Sequence, residues 1–178
     1  MALVDVIPSL HWYALHTRSR HEKAVDRLLR TSGFRTFLPL TLKRSRVSLR
    51  RMREAELPLF PGYTFAQFAP SQENLRVVRA SAGVVTIVGS SSGPVSIPDA
   101  EIDAIRKVME TDLACFPAEG LSVGQPVIVA RGPLRGVSGE IVRRKNQEVF
   151  VIKIRLIQRC LEVELSPRDL QSVVPLAS

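Results

Sequence analysis

The chain has 178 residues, 45% of them hydrophobic and 24% charged, enough for one ordinary domain or two small ones. Lys and Arg number 25 against 17 Asp and Glu, a formal net charge of +8 with a pI near 10.3. The balance excludes a fully disordered or collagen-like chain and favours an anionic partner or an acidic protein surface, without separating nucleic acid from membrane.

Trp12 to His16, aromatic and aliphatic, predicts a buried strand. Ser19 stands three residues before Glu22, the spacing of a capping box, and Ala24, Val25, Leu28 and Leu29 follow at helical period until Gly33. Phe34 to Leu38 reads as a second strand, stopped by Pro39. Next comes a dense basic run, Lys43, Arg44, Arg46, Arg50, Arg51 and Arg53, interrupted by Val47, Leu49 and Met52. The apolar interruptions predict a hairpin or loop between two strands rather than a disordered tail. Leu57 to Phe60 and Tyr63 to Phe68 are strand-like, with Pro61-Gly62 bending the chain between them. Gln72 to Arg79 predicts a short helix and Val84 to Val88 a β-branched strand. Pro98 suits a helix start, and Ile102, Ile105 and Met109 give that helix an apolar stripe. Strands interleaved with helices predict an α/β (α+β) sandwich, with helices covering a small sheet.

Between Thr111 and Ser122 no apolar period is sustained, and Pro117 and Gly120 mark a linker. Beyond it the pattern changes to period two. Val127 and Val129, Val137 and Ile141, Val149 and Val151, Ile152, Ile154 and Leu156, then Leu161, Val163 and Leu165 predict several short strands. A small β-barrel closes such strands without long exposed edges. Pro167 to Leu170 predicts one helical turn before a last strand near Val173.

Cys115 and Cys160 are far apart and no Cys/His cluster has zinc spacing, so neither a disulfide framework nor a metal site is expected, and a reducing compartment fits. The first ten residues carry Asp5 and no positive n-region, unlike a secretory signal. The uncharged stretch from Ala80 to Pro98 is broken by Ser91, Ser92, Gly93 and Pro94, unlike a membrane span. The expectation is a cytoplasmic protein with no membrane partner. His11, His16 and His21, spaced by five, share no helical face and have no evident nucleophile or carboxylate partner. With no P-loop, GxSxG or GxGxxG pattern either, the sequence points to binding, with no catalytic residues and no cofactor.

Two sets of motifs carry a family resemblance. Gly124 to Gly139, GQPVIVARGPLRGVSG, resembles the KOW motif, although Gln125-Pro126 stands where an acidic residue is common. His11 to Thr17, Arg20 to Val25, the LFPGY of Leu59 to Tyr63, Val78 to Val84, Val88-Gly89 and Pro98 resemble the N-terminal domain of the NusG family. The resemblance runs in the right order over residues 11–174. It implies a NusG N-terminal domain over 10–110, a linker over 111–121 and a small SH3-like KOW β-barrel over 122–176.

The implied function is a transcription elongation factor that binds RNA polymerase and suppresses pausing and termination. In the family a hydrophobic patch grips the clamp helices of the largest polymerase subunit; the matching residues are Trp12, Phe60, Pro61, Gly62 and Tyr63. Large apolar faces with polar tips suit interface anchors, while the competing reading is that Trp12 and Phe60 fill the core. The basic residues Lys43, Arg44, Arg46, Arg50, Arg51 and Arg53 would then meet DNA of the transcription bubble, the competing reading being a solvated loop. The KOW domain of relatives binds Rho or the ribosomal protein NusE; the matching segment here offers Leu156, Ile157 and Arg159, with Ile157 where an aromatic is usual. Leu156 to Leu165, Arg18 to Glu22 and Phe37 to Leu40 are similar to specialised antiterminators of the UpxY and RfaH type. Two other functions fit the same motifs: a housekeeping NusG coupling to Rho or the ribosome, and a ribosome- or RNA-binding KOW protein.

Overall fold

The fold is that of a computed structural model, which describes residues 9–48, 51–111, 113, 115–119, 124–144, 147–164 and 173–175. In chain order the first elements are β1 (His11–Thr17), α1 (Glu22–Thr31), β2 (Arg35–Phe37), β3 (Leu40–Ser48), β4 (Arg51–Pro58) and β5 (Tyr63–Phe68). Next are α2 (Gln72–Ala80), β6 (Val84–Ile87), β7 (Gly89–Ser90), β8 (Gly93–Pro94), α3 (Asp99–Met109) and β9 (Cys115–Glu119). The last are β10 (Gln125–Val129), β11 (Ser138–Arg144), β12 (Gln147–Ile154), a 3₁₀ turn (Arg155–Ile157), β13 (Arg159–Val163) and β14 (Val173–Pro175). The result is a mixed α/β fold. It divides into two compact units, Met1–Leu38 with Pro61–Pro98, and Pro39–Phe60 with Asp99–Ser178.

The first unit is built on a four-stranded sheet in the order β2-β5-β1-β6, with α1 and α2. All pairings are antiparallel, and Tyr13 lies opposite Ala66 while Ala14 lies opposite Phe65. Alternation therefore sends two different sets of side chains to the two faces. Tyr13, Leu15, Ala66, Phe68 and Ile87 form one cluster with Val25 and Leu29 of α1 and Leu75 and Val78 of α2. Tyr13 stacks on Phe68 at 4.5 Å between ring centres. The opposite face carries Trp12, Ala14, Phe65 and Phe37, and at one end His16 and Tyr63.

The start of α1 differs from expectation. Helix begins at Glu22 after His21, which makes no side-chain cap bond, and Ser19 only lends its carbonyl oxygen to His21 Nδ1. Arg20 sits at φ +63°, which breaks the register a Ser19–Glu22 capping box requires. Glu22 instead turns inward and is buried. Helix α2 is capped by Ser71, whose Oγ accepts from the Asn74 N–H at 3.2 Å.

The second unit contains the β3–β4 hairpin, α3 and a six-stranded antiparallel sheet in the order β14-β10-β11-β12-β13-β9. The sheet is open: among the described residues β14 and β9 are its two edges. Cys115–Glu119, expected within a linker, is the edge strand β9, paired with β13. An edge is where Pro117 fits, since it has no N–H to give to a second neighbour. Val127, Val129, Val137, Val151, Ile152, Ile154, Leu161 and Val163 are buried, but Ile141 and Val149 are only half-buried; their neighbours Val142 and Phe150 are the buried ones, and Phe150, Val151 and Ile152 are buried in succession. Gly139 is required by packing: a Cβ there would lie 2.8 Å from the Val151 carbonyl oxygen and against the Phe150 ring. Helix α3 packs on β12 and buries Ile102, Ile105 and Val108; Met109, expected in the stripe, is only half-buried. The turn expected at Pro167 to Leu170 lies outside the described residues. No helix among the described residues is long and apolar enough to cross a membrane.

Candidate functional site

The Pro61-Gly62 bend leads into β5, and its geometry is tightly specified. Gly62 adopts φ +81°, a conformation an L side chain rarely takes. Its carbonyl accepts from the Thr17 N–H at 2.8 Å, and its N–H donates to Glu22 Oε1 at 2.8 Å. Both backbone polar groups of Gly62 are thus tied, one to the end of β1 and one to the start of α1. Pro61 is exposed and Tyr63 is partly exposed, its ring 5.4 Å from that of His16. Beside them runs a shallow groove lined by His16, Tyr63, Arg79, Gly89, Ser90 and Gly93. An aromatic with a polar tip, a guanidinium and open backbone at one surface can take both an apolar and an acidic group from a partner.

The other aromatics expected as anchors are placed differently. Trp12 is 3% and Phe60 1% exposed. Both rings are packed inside, which is the competing core reading of these two residues. Trp12 also accepts at its carbonyl from the Ile97 N–H at 2.7 Å, bonding β1 to the chain that precedes α3. Of the five residues singled out in the sequence, Pro61, Gly62 and Tyr63 are therefore the ones with open surface.

The basic run falls in the β3–β4 hairpin. Backbone pairing sets Lys43 opposite Ala55, Arg44 opposite Glu54, Ser45 opposite Arg53, Arg46 opposite Met52 and Ser48 opposite Arg51. Arg50 lies outside the described residues, as do the side chains of Lys43, Arg44, Arg46, Arg51 and Arg53. The register still gathers the cationic positions around one end of a long two-stranded ribbon, while Leu42 and Leu57 nearer its base are exposed.

The candidate partner segment of the second unit forms the 3₁₀ turn and the start of β13. Gln158 bends the chain at φ +52°, Ile157 is buried, Arg159 is half-buried, and the Leu156 side chain lies outside the described part. Ile157 thus serves the interior of its own unit.

Sequence reading missed two groups of ionisable residues. Glu22 is matched to a partner 40 residues away, which no local pattern encodes. In the second unit, Glu140 Oε2 accepts from Lys153 Nζ and from the Gly124 N–H, a part-buried ion pair across β11 and β12. Opposite charges at inward-leaning strand positions were the available signal. Close by, burial pushes the Glu101 carboxyl above its ordinary range, and the backbone N–H and charge of Arg155 only partly offset that. Burial likewise raises the Cys115 thiol.

The described residues thus present a Pro-Gly turn fixed on a sheet-and-helix unit, a hairpin whose sequence carries the basic run, and a six-stranded antiparallel sheet. The family model described as transcription termination factor NusG matches residues 10–106, more than half of the chain. The chain belongs to the NusG family. A transcription termination/antitermination protein NusG from Deinococcus radiodurans is 30% identical over 172 residues, covering 82% of this chain and 89% of the relative. One from Staphylococcus epidermidis is 29% identical over 164 residues, covering 85% and 86%. The solved structure of Thermotoga maritima NusG covers 95% of this chain and 98% of its own, with a TM-score of 0.55 at 22% identity, a likeness of fold.

Proposed function

We propose that this NusG-family chain is a cytoplasmic transcription elongation factor of the specialised, antiterminating kind. Its first unit docks on the clamp helices of the largest RNA polymerase subunit through Tyr63 and Pro61, with Gly62 setting the turn; Trp12 and Phe60, both buried, are not part of the contact. The observation that carries this reading is the doubly anchored Gly62 with a partly exposed Tyr63 beside it. The hairpin bearing Lys43, Arg44, Arg46, Arg50, Arg51 and Arg53 meets the phosphates of the bubble DNA, as guanidinium forks suit. The six-stranded sheet acts as a KOW domain that recruits a second partner, Rho or the ribosomal protein NusE, near Arg159. The family match over residues 10–106 supports a first domain over 10–110, and strand β9 extends the second unit's sheet back to Cys115.

Such a factor suppresses pausing only if it binds the closed clamp more tightly than the open one. The test is transcription in vitro on a pausing template with purified polymerase. Shortened pauses and increased readthrough are expected; unchanged pausing at saturating protein would overturn the proposal. The names of the matched relatives favour a second reading, a housekeeping NusG. Capture of Rho by the full chain would select that reading over the specialised one.

A further inference from the structure

We infer that Glu22 is the positioning residue of the docking turn: its carboxylate fixes the Pro61-Gly62 peptide and, through it, the pose of Tyr63. The inference rests on the docking reading for its consequence at polymerase, but not for the bond itself. Glu22 is 5% exposed and its Oε1 lies 2.8 Å from the Gly62 nitrogen. A buried carboxylate is costly unless its lone pairs are used, and here it also stands in the first turn of α1, where the helix dipole favours an anion. The N–H it holds belongs to a residue at φ +81°, a region glycine enters and leaves freely, so the hydrogen bond rather than intrinsic backbone preference selects this turn. The Thr17 bond at the Gly62 carbonyl fixes the far side of the same residue. With both bonds made, Tyr63 leaves the turn already in register opposite His16, at the head of β5. The arrangement assigns Glu22 a task separate from helix capping: the turn is organised before the partner arrives, so docking loses less to ordering.

The test uses the full chain and four proteins: wild type, Glu22→Ala, Tyr63→Ala and the double variant. Glu22→Ala should weaken binding to purified polymerase by about fivefold to tenfold, whereas Glu22→Ala added to Tyr63→Ala should change affinity by less than about twofold. Glu22→Gln, which keeps an oxygen acceptor at the same reach, should restore binding. Hydrogen exchange supplies the arm that needs no polymerase. The Gly62 amide should exchange about tenfold faster in Glu22→Ala, with the Val25 and Leu29 amides of α1 unchanged. If Glu22→Ala does not fold, Glu22→Asp, one methylene shorter, takes its place with the same expectations. Equal acceleration across α1, or an unchanged Gly62 amide, would overturn the inference, as would a full effect of Glu22→Ala in the Tyr63→Ala background. Equal affinities of Tyr63→Ala and wild type would strike the docking reading alone, and the exchange result would still decide the role of Glu22.

Discussion

At the scale of single residues, some side chains are held and others are offered. Tyr63 is partly exposed on the proposed docking turn, so Tyr63→Ala should weaken polymerase binding by about 2 kcal/mol, near thirtyfold in Kd, as for an aromatic anchor. Its thermal unfolding should move little, because the main cluster of the first unit does not include it. Gly62 is held. A methyl there would meet only the His16 ring at 3.8 Å, so space is not the obstacle; backbone conformation is. Gly62→Ala should cost about 1–2 kcal/mol in urea unfolding, the penalty of a left-handed L residue. Burial raises the Cys115 thiol and so lowers its thiolate fraction. Iodoacetamide should therefore label it more slowly than a model thiol at pH about 8.

At the scale of elements, local pattern was readable where the decisive contacts were local. Strand β5 runs over Tyr63–Phe68 as expected, and helix α2, expected over Gln72 to Arg79, spans Gln72–Ala80. Reading failed where a distant partner decided the outcome. Ser19 and Glu22 have the spacing of a capping box, yet Arg20 breaks the register and Gly62, far along the chain, claims the carboxylate. Trp12 and Phe60 look like interface aromatics by type alone, but only packing determines that they face inward. Cys115–Glu119 lacks a strong strand pattern because an edge strand needs only one partner, β13. Where α3 packs on β12, folding is linked to a proton. Glu101 has its carboxyl pKa raised in the folded chain, so folding is favoured by its protonation, and that contribution is lost as pH rises through the raised value. Glu101→Gln should accordingly be more stable than wild type at pH about 8, with the gap closing as pH falls through the ordinary glutamate range near about 4. Urea midpoints across that range check the sign.

At the scale of the molecule, two different physical terms serve one task. In the proposed reading the turn supplies shape-specific contact that salt barely touches, whereas the cationic hairpin supplies attraction to phosphate that salt screens. Affinity for an elongation complex should fall steeply with salt. Replacing Arg44 and Arg46 by Ala should flatten that slope by about 0.7–0.9 for each phosphate no longer neutralised, while Tyr63→Ala should lower affinity at every salt concentration without changing the slope. The family to which the chain belongs was legible from short motifs because those motifs are the structurally constrained places: the Gly62 turn, the Gly83 approach to Val25, and Gly139 beneath Phe150. In the proposed docking the Pro61-Gly62-Tyr63 turn faces polymerase. A photoreactive phenylalanine analogue in place of Tyr63, irradiated in a halted elongation complex, tests it most directly. A single adduct is expected, with the largest polymerase subunit. The absence of any polymerase adduct, or adducts confined to nucleic acid, would contradict it.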